Sequence, residues 1–219
     1  MPGSADSPLL DPTVHEVLER VRASGGGPPP RPPSGQPARG ADSPRDPFAF
    51  TDYAFPIAPE QGDLLYLLAR ATGATRIAEC ATSLGISTLY LAAAVRDNGG
   101  GLVIGSEIVE AKAQRARRSF EEAGLDSLVE VRVGDARQTF ADLGGPIDLL
   151  LVDGWPTGAV PSLARSIIEL VTPQLRPRAL VMNDNGEEDY LAYVRDPANG
   201  FLTLSLPLKG GTELSVRLT

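Results

Sequence analysis

Acidic side chains stand at or just beyond the ends of three short apolar stretches, at Glu79, Glu107 and Asp135. A carboxylate at the end of a strand can accept hydrogen bonds from ribose hydroxyls, which is the role we predict for Glu107. Gly134-Asp135-Ala136 follows a third strand and is placed to meet an adenine. Each position alone fits ordinary turn chemistry, but three strand ends in this order favour a nucleotide-like ligand.

The turn from Ala81 to Ser87 consists largely of small residues and leads into a helix. Small residues let the backbone approach a ligand closely, and the first N–H groups of a helix are free to bind a carboxylate. A dinucleotide site requires the pattern Gly-x-Gly-x-x-Gly, whereas this turn contains only Gly85. The sequence therefore disfavours a pyrophosphate ligand.

A second group of polar residues follows the next two strands: Asp153, then Asp184 and Asn185. If these strands are neighbours, the three side chains converge at one edge of the sheet. Two carboxylates and an amide oxygen suit Mg²⁺ or a similar divalent cation. Such a cation would acidify and orient an acceptor hydroxyl. The alternative is that these residues belong to two ordinary polar turns. Trp155, in the loop after Asp153, either forms a wall of a pocket for the molecule that carries this hydroxyl or packs its loop onto the sheet.

The elements that must position these residues alternate along the chain. Hydrophobic periodicity predicts helices over 10–23, 60–72, 87–95, 109–123, 136–143, 163–171 and 187–194. It predicts strands over 76–80, 102–107, 129–133, 148–152, 179–182, 201–206 and 213–218. Alternation implies parallel pairing through right-handed crossovers, except that the last two strands are too close for a crossover. We predict an α/β fold: a Rossmann-like seven-stranded, mostly parallel sheet with a C-terminal antiparallel hairpin and helices on both faces.

The chain divides into three regions by composition. Residues 1–23 form an N-terminal helical segment, and residues 24–47 are rich in Pro and Gly and lack large apolar side chains, as in a flexible linker. Residues 48–219 contain the alternating elements and constitute the predicted catalytic domain.

Composition excludes several classes of partner. The formal net charge is −8, which disfavours nucleic acid, and the basic run 112–118 fits a solvated helix face. No apolar run is long enough to cross a bilayer, the start of the chain does not resemble a signal peptide, and a single cysteine permits no internal disulfide. We therefore expect a cytoplasmic enzyme. Lys112 and Lys209 are the only lysines, and the spacing places neither at the site.

From about Phe55 to the C-terminus the sequence resembles the catechol O-methyltransferase-like group of class I S-adenosylmethionine-dependent O-methyltransferases. The resemblance is carried by 58–62, by the donor loop 79–87, by the strand 103–107 with Ile108, and by Gly134-Asp135-Ala136. It departs from the family at Ala81, where glycine is usual, and at Pro156, where the family commonly has a lysine that acts as general base.

The resemblance implies S-adenosyl-L-methionine as methyl donor and a small molecule with a hydroxyl group as acceptor. Together with the loop positions above, it gives as donor-binding candidates Glu79, Ala81, Gly85, Ser87, Glu107, Ile108, Asp135 and Ala136. It also implies a metal triad of Asp153, Asp184 and Asn185, with Asp153 catalytic, and a possible homodimer. Two alternatives stay open: a metal-independent methyltransferase, and a catalytically silent donor-binding protein on the same fold.

Overall fold

The computed structural model describes residues 11–25, 46–154, 159–209 and 211–219. Trp155 and Pro156, and most of the predicted linker, lie outside the described residues. No helix in the described ranges is long and apolar enough to span a membrane.

Helices and strands alternate through the chain, largely where the apolar periodicity predicts them. The helices are α1 (Pro12–Ser24), α2 (Pro59–Thr72), α3 (Ile86–Asp97), α4 (Glu110–Glu122), α5 (Ala136–Thr139), α6 (Leu163–Val171) and α7 (Glu188–Arg195). The strands are β1 (Arg76–Cys80), β2 (Leu102–Glu107), β3 (Val129–Val133), β4 (Ile147–Val152), β5 (Leu175–Asn183), β6 (Phe201–Leu206) and β7 (Thr212–Arg217).

The strands form one seven-stranded sheet in the order β3-β2-β1-β4-β5-β7-β6. The pairs β2–β3, β1–β2, β1–β4 and β4–β5 are parallel. The pairs β5–β7 and β6–β7 are antiparallel. The predicted α/β fold with a C-terminal antiparallel hairpin is confirmed. The order of parallel strands reverses between β1 and β4, and ligands of such sheets bind beyond the strand ends at this point.

Successive residues of the central strands face opposite sides of the sheet, so each side has its own core. On one side, α1 to α4 pack on strand residues such as Ile77, Val103 and Leu149. On the other, α5 to α7 pack on strand residues such as Ala78 and Ile104. The strands are apolar on both faces because both faces are covered by helices.

Two boundaries differ from the sequence prediction by four residues, and the others agree within two. β5 begins at Leu175 rather than 179, because Leu175 pairs with Ile147 and the register then shifts before Leu180 pairs with Leu149. The interrupted residues include Arg178 at φ 67, so the apolar pattern starts only after the irregularity. α5 ends at Thr139 rather than 143, since Phe140 has left the helical conformation at φ −98, ψ 8.

Candidate active site

The loop after β1 folds over the ends of β1 and β2. Ala81 and Ser83 have φ values of 68 and 52, and Gly85 has φ 84. The N–H of Thr82 donates to the Ser106 carbonyl at 3.0 Å, which fixes the loop against β2. Three left-handed residues in five give the chain a sharp reversal before α3 begins.

Gly85 is required at this reversal for packing as well as for conformation. A Cβ at this position would lie 2.6 Å from the ring of Phe120 and 3.2 Å from Ala116 Cβ. Because Gly85 sits against α4 rather than in the cavity described below, its contribution to a donor site would be made through the shape of the loop.

Glu107, at the end of β2, is held by two backbone donors. Its Oε2 accepts from Ser83 N at 2.7 Å, and its Oε1 accepts from Val109 N at 2.8 Å. The side chain is buried but lines the cavity. Each carboxylate oxygen has a second lone pair. The carboxylate is therefore fixed in direction and can still accept hydrogen bonds from a ligand.

Asp135 caps α5 beyond the end of β3. Its Oδ1 accepts from Arg137 N at 2.9 Å, and its Oδ2 forms an ion pair with Arg137 Nη2 at 2.5 Å. The hydrogen bond and charge of the Arg137 side chain lower the pKa of Asp135 against the effect of partial burial. Asp135, Ala136 and Arg137 line the same cavity as Glu107.

One cavity of about 270 Å³ collects the carboxyl ends of β1, β2, β3 and β4. This volume is close to the lower end of the range of roughly 300–1,000 Å³ typical of small-molecule sites. Of the predicted site residues, the cavity is lined by Ala81, Glu107, Ile108, Asp135, Ala136 and Asp153.

Glu79, predicted to bind the donor, lies beneath the loop rather than in the cavity. It is fully buried, its Oε2 accepts from the Thr88 hydroxyl, and burial raises its pKa, with the hydroxyls of Ser87, Thr88 and Thr82 opposing. Its Oε1 has no hydrogen-bond partner of good geometry among the described residues. Thr82 Oγ1 and Ser83 Oγ, both in the loop above it, are likewise buried without a partner there. Buried polar atoms are normally paired, so three unpaired atoms at one loop indicate a place that a polar ligand or water completes.

Ser87 is in the first turn of α3 and faces a small gap of about 10 Å³ between the loop and the segment that contains Ala54 and Ile57. This places Ser87 behind the loop, next to Glu79 in the buried layer rather than on the wall of the main cavity.

Asp153 follows β4 and lines the cavity at the end of that strand. Its Oδ1 accepts from Gly154 N at 2.6 Å. Burial and the neighbouring charge of Asp184 raise the pKa of Asp153 to about 7, while Lys209 opposes the rise. Asp153 and Asp184 are therefore close enough to interact, as the sequence predicts for the ends of β4 and β5.

Asp184 is buried, and both of its carboxylate oxygens are engaged by protein donors. Gln61 Nε2 lies 2.5 Å from Oδ1, and Lys209 Nζ lies 2.5 Å from Oδ2. Asn185 is exposed and turns its Nδ2 group to the Gly154 carbonyl. Within the described parts of the chain, no group of three or more His, Cys, Asp or Glu side chains is arranged to hold a metal ion.

Three residues at this site were not among those predicted from the sequence: Lys209, Gln61 and Lys112. Lys209, in the turn before β7, contacts Asp184, a contact that the sequence spacing did not indicate. The predicted C-terminal hairpin could have indicated this contact. β7 runs antiparallel to β5, so the turn preceding β7 lies at the carboxyl end of β5. Gln61 lies within 58–62, one of the segments that carry the family resemblance, but no contact with Asp184 was predicted for it.

Lys112 corrects the interpretation of 112–118 as a wholly solvated face. It is 5% exposed and lines the cavity. Its Nζ lies 5.6 Å from the centre of the Phe55 ring. Burial lowers the pKa of Lys112, against the attraction of Glu107.

Comparison with known proteins assigns this architecture. A family described as "Methyltransferase domain" matches residues 78–186, which include the β1 loop, Glu107, Asp135, Asp153 and Asp184. Catechol O-methyltransferases of Niastella koreensis and Mycobacterium tuberculosis are 35% identical over 104 residues and 39% identical over 98 residues. The chain belongs to the class I S-adenosylmethionine-dependent O-methyltransferase family. The predicted family is confirmed.

The matches to these two methyltransferases cover 46% and 44% of this chain and the same shares of the relatives, so the chain spans about half the length of the curated relatives it matches. A solved O-methyltransferase from Bacillus cereus in complex with SAH superposes over 98% of this chain and 94% of its own, with a TM-score of 0.69 and 24% identity. The O-methyltransferase TomG from Streptomyces achromogenes, in complex with SAM, covers 96% of this chain and 91% of its own, with a TM-score of 0.63 and 24% identity. At this identity the superpositions support the methyltransferase fold.

Proposed function

We propose that this protein transfers a methyl group from S-adenosyl-L-methionine to a hydroxyl oxygen of a small molecule that binds beside Asp153. The observation that carries the proposal is the single cavity at the β1–β4 switch point, which joins the Glu107 and Asp135 strand ends to Asp153. The family and the catechol O-methyltransferase relatives support the donor and the class of reaction.

The residues that line the cavity fit the proposed donor. Glu107 is a fixed acceptor for ribose hydroxyls, since two backbone N–H groups orient it. Ile108 and Ala136 offer apolar surface for an adenine next to Asp135. Glu79, with one unpaired buried oxygen under the loop, offers an acceptor for the positively charged amino group of the donor, directly or through water.

The donor supplies a methyl group on a sulfonium: the acceptor oxygen bonds to this carbon as the carbon–sulfur bond breaks, its electron pair stays on sulfur, and the hydroxyl proton leaves. Asp153 is the carboxylate of the cavity at the end of β4, and we assign it the role of orienting the acceptor hydroxyl and receiving its proton. Holding two reactants in near-attack geometry supplies much of the rate enhancement in such a transfer.

A metal-assisted reaction is the second candidate, supported by the proximity of Asp153 to Asp184. The residues as they stand do not fit a divalent site well. Gln61 and Lys209 donate to both oxygens of Asp184, so a divalent ion there would have to displace or adjoin a cationic ammonium group. We therefore derive no step that depends on a metal. A cytoplasmic location and a homodimer remain predictions from the sequence.

The proposal is tested by calorimetric titration with S-adenosyl-L-methionine and by methyl transfer to a panel of phenols and catechols. We expect Glu107→Gln to weaken donor binding by roughly 10-fold or more, because an amide replaces one hydrogen-bond acceptor by a donor. Glu121→Gln, an exposed site on α4, is the matched control and should bind the donor normally.

Asp153→Asn should bind the donor normally and lower kcat by roughly 10²-fold or more, because the amide cannot receive a proton. Asp126→Asn, an exposed residue outside the cavity lining, should leave kcat unchanged. Absence of donor binding to the intact chain would contradict the proposal. Donor binding without transfer to any acceptor would identify the silent donor-binding protein instead.

A further inference from the structure

Lys209 Nζ lies against Asp184 Oδ2, where its ammonium group places a positive charge. We propose that its ammonium group is a built-in cation at the acceptor site, so that methyl transfer by this protein requires no metal ion. This inference rests on the proposed function, and it identifies the group that provides the positive charge at the acceptor site.

The orientation of Gln61 decides which oxygen of Asp184 remains for a cation. Gln61 Oε1 accepts from Ala58 N at 2.9 Å, so the other end of the amide, Nε2, must face Asp184 Oδ1 and Thr212 Oγ1. Oδ2 is then the oxygen left for a positive charge. Lys209 Nζ lies 2.5 Å from it, while the Asp184 side chain is 0% exposed.

The fold delivers Lys209 to this place through the turn between β6 and β7. β7 pairs antiparallel with β5, and Glu213 is opposite Asn183. The turn is closed by the Gly211 N–H on the Leu208 carbonyl at 2.8 Å. Thr212, the first residue of β7, is itself bound to Gln61, so the register that positions the turn is tied to the same polar cluster.

Electrostatics gives the ammonium group a function here. Asp153 and Asp184 are two carboxylates in a buried region, and burying like charges is unfavourable unless a cation compensates them. Lys209 Nζ, 2.5 Å from Asp184 Oδ2, supplies a positive charge beside this pair. A divalent ion at Oδ2 would have to displace this ammonium or lie next to it, and like charges repel at such separations.

A fixed ammonium group at the acceptor site also affects which acceptors can react. An acceptor that chelates a metal needs two adjacent oxygens, whereas an acceptor next to a fixed ammonium needs only one. We therefore expect phenols with a single hydroxyl to be methylated with kcat/KM values within roughly 10-fold of the corresponding catechols.

The decisive experiment compares the intact chain with Lys209→Ala and Lys209→Arg. In the unmodified protein, EDTA and added Mg²⁺ should each change turnover by less than about 2-fold, and Mg²⁺ should give no stoichiometric heat of binding. Lys209→Ala should lower kcat by roughly 10- to 100-fold, bind Mg²⁺, and recover part of its turnover when Mg²⁺ is added. Lys209→Arg keeps the charge and should retain most activity without metal. Arg118→Ala, an exposed cation on α4, is the control and should behave as the unmodified protein.

The two lysines also allow a readout that does not depend on activity. In protein labelled with ¹⁵N at lysine Nζ, only two side-chain signals are expected, and Lys112→Met assigns them. The Lys209 signal should shift in Asp184→Asn, because its carboxylate partner is lost, and should not move on addition of Mg²⁺. Because it follows the Lys209 signal itself, this measurement tests the inference even if Lys209→Ala fails to fold.

Stoichiometric Mg²⁺ binding by the unmodified protein that shifts the Lys209 signal, or loss of turnover in EDTA, would overturn the inference. So would a Lys209→Ala variant with normal, metal-insensitive turnover. Failure of the donor to bind would contradict the proposed function alone, because the Mg²⁺ titration and the lysine spectrum are measured without donor or acceptor.

Discussion

Ala81 is a non-glycine residue in a left-handed conformation on the wall of the cavity, with φ 68. For residues with a Cβ this conformation costs roughly 1–2 kcal/mol, which explains why glycine suits the position. The Ala81 methyl group also lies near Gly154: a Cβ atom added to Gly154 would be 3.6 Å from the Ala81 Cβ.

At the residue scale we predict that Ala81→Gly raises the free energy of unfolding by about 1 kcal/mol, because it removes the backbone strain. It should also tighten donor binding by removing a methyl group from the cavity wall. Thermal unfolding and donor calorimetry measure both effects. Ala71→Gly, at an exposed position inside α2, is the control and should instead lower the free energy of unfolding by about 1 kcal/mol. Equal effects of the two substitutions would show that Ala81 is not strained.

At the scale of elements, Asp148 joins the amino-terminal ends of three strands. Its Oδ2 accepts from Thr75 N at 2.7 Å and Arg76 N at 2.8 Å, and its Oδ1 pairs with Arg176 of β5. Burial acts to raise the pKa of Asp148, but these donors outweigh it and lower the pKa below the ordinary 3.8. The ionised form therefore stabilises the fold.

We predict that Asp148→Asn lowers the free energy of unfolding by roughly 1–3 kcal/mol at pH 7. The sign of the pH dependence follows from the lowered pKa: the stabilisation is fully present above the unfolded value of 3.8 and is lost as the pH falls through the lower folded value. The difference between the variant and the unmodified protein should therefore shrink in urea titrations below about pH 4. A difference that grows in acid would contradict this assignment.

At the scale of the whole molecule, α1 belongs to the same core as the sheet. Val14, Val17, Leu18 and Val21 are buried in the cluster that contains α2, α3 and α4. Asp11 forms an ion pair with Arg96 of α3, and Ala54 N donates to the Gly25 carbonyl at 2.9 Å. The division of the chain at residues 23 and 47 stays a prediction from composition.

We predict that Leu18→Ala lowers the free energy of unfolding of the whole chain by roughly 2–5 kcal/mol, because it leaves a cavity in this shared core. Leu67→Ala, at a side chain that is 50% exposed, should change it by less than about 0.5 kcal/mol. Chemical denaturation followed by the near-ultraviolet signal of the sheet domain measures the effect. An independent N-terminal segment would leave that transition unmoved.

The sequence by itself determined the sheet, the strand ends and six residues of the cavity lining. Apolar strands such as 148–152 are long enough to specify their burial, and a residue at the carboxyl end of a parallel strand has only one edge of the sheet to occupy. Glu107 and Asp135 could therefore be assigned to one cleft, and Asp153 to the neighbouring ends of β4 and β5, from the sequence alone.

Only the tertiary structure decided which side chains complete the site. Gln61 meets Asp184 across 123 residues, and Lys209 reaches it because β7 is inserted between β5 and β6. Strand insertion and loop conformation depend on packing summed over the whole sheet, which local periodicity does not encode. The same is true of Glu79, whose place at a strand end was predictable but whose burial beneath the left-handed loop was not.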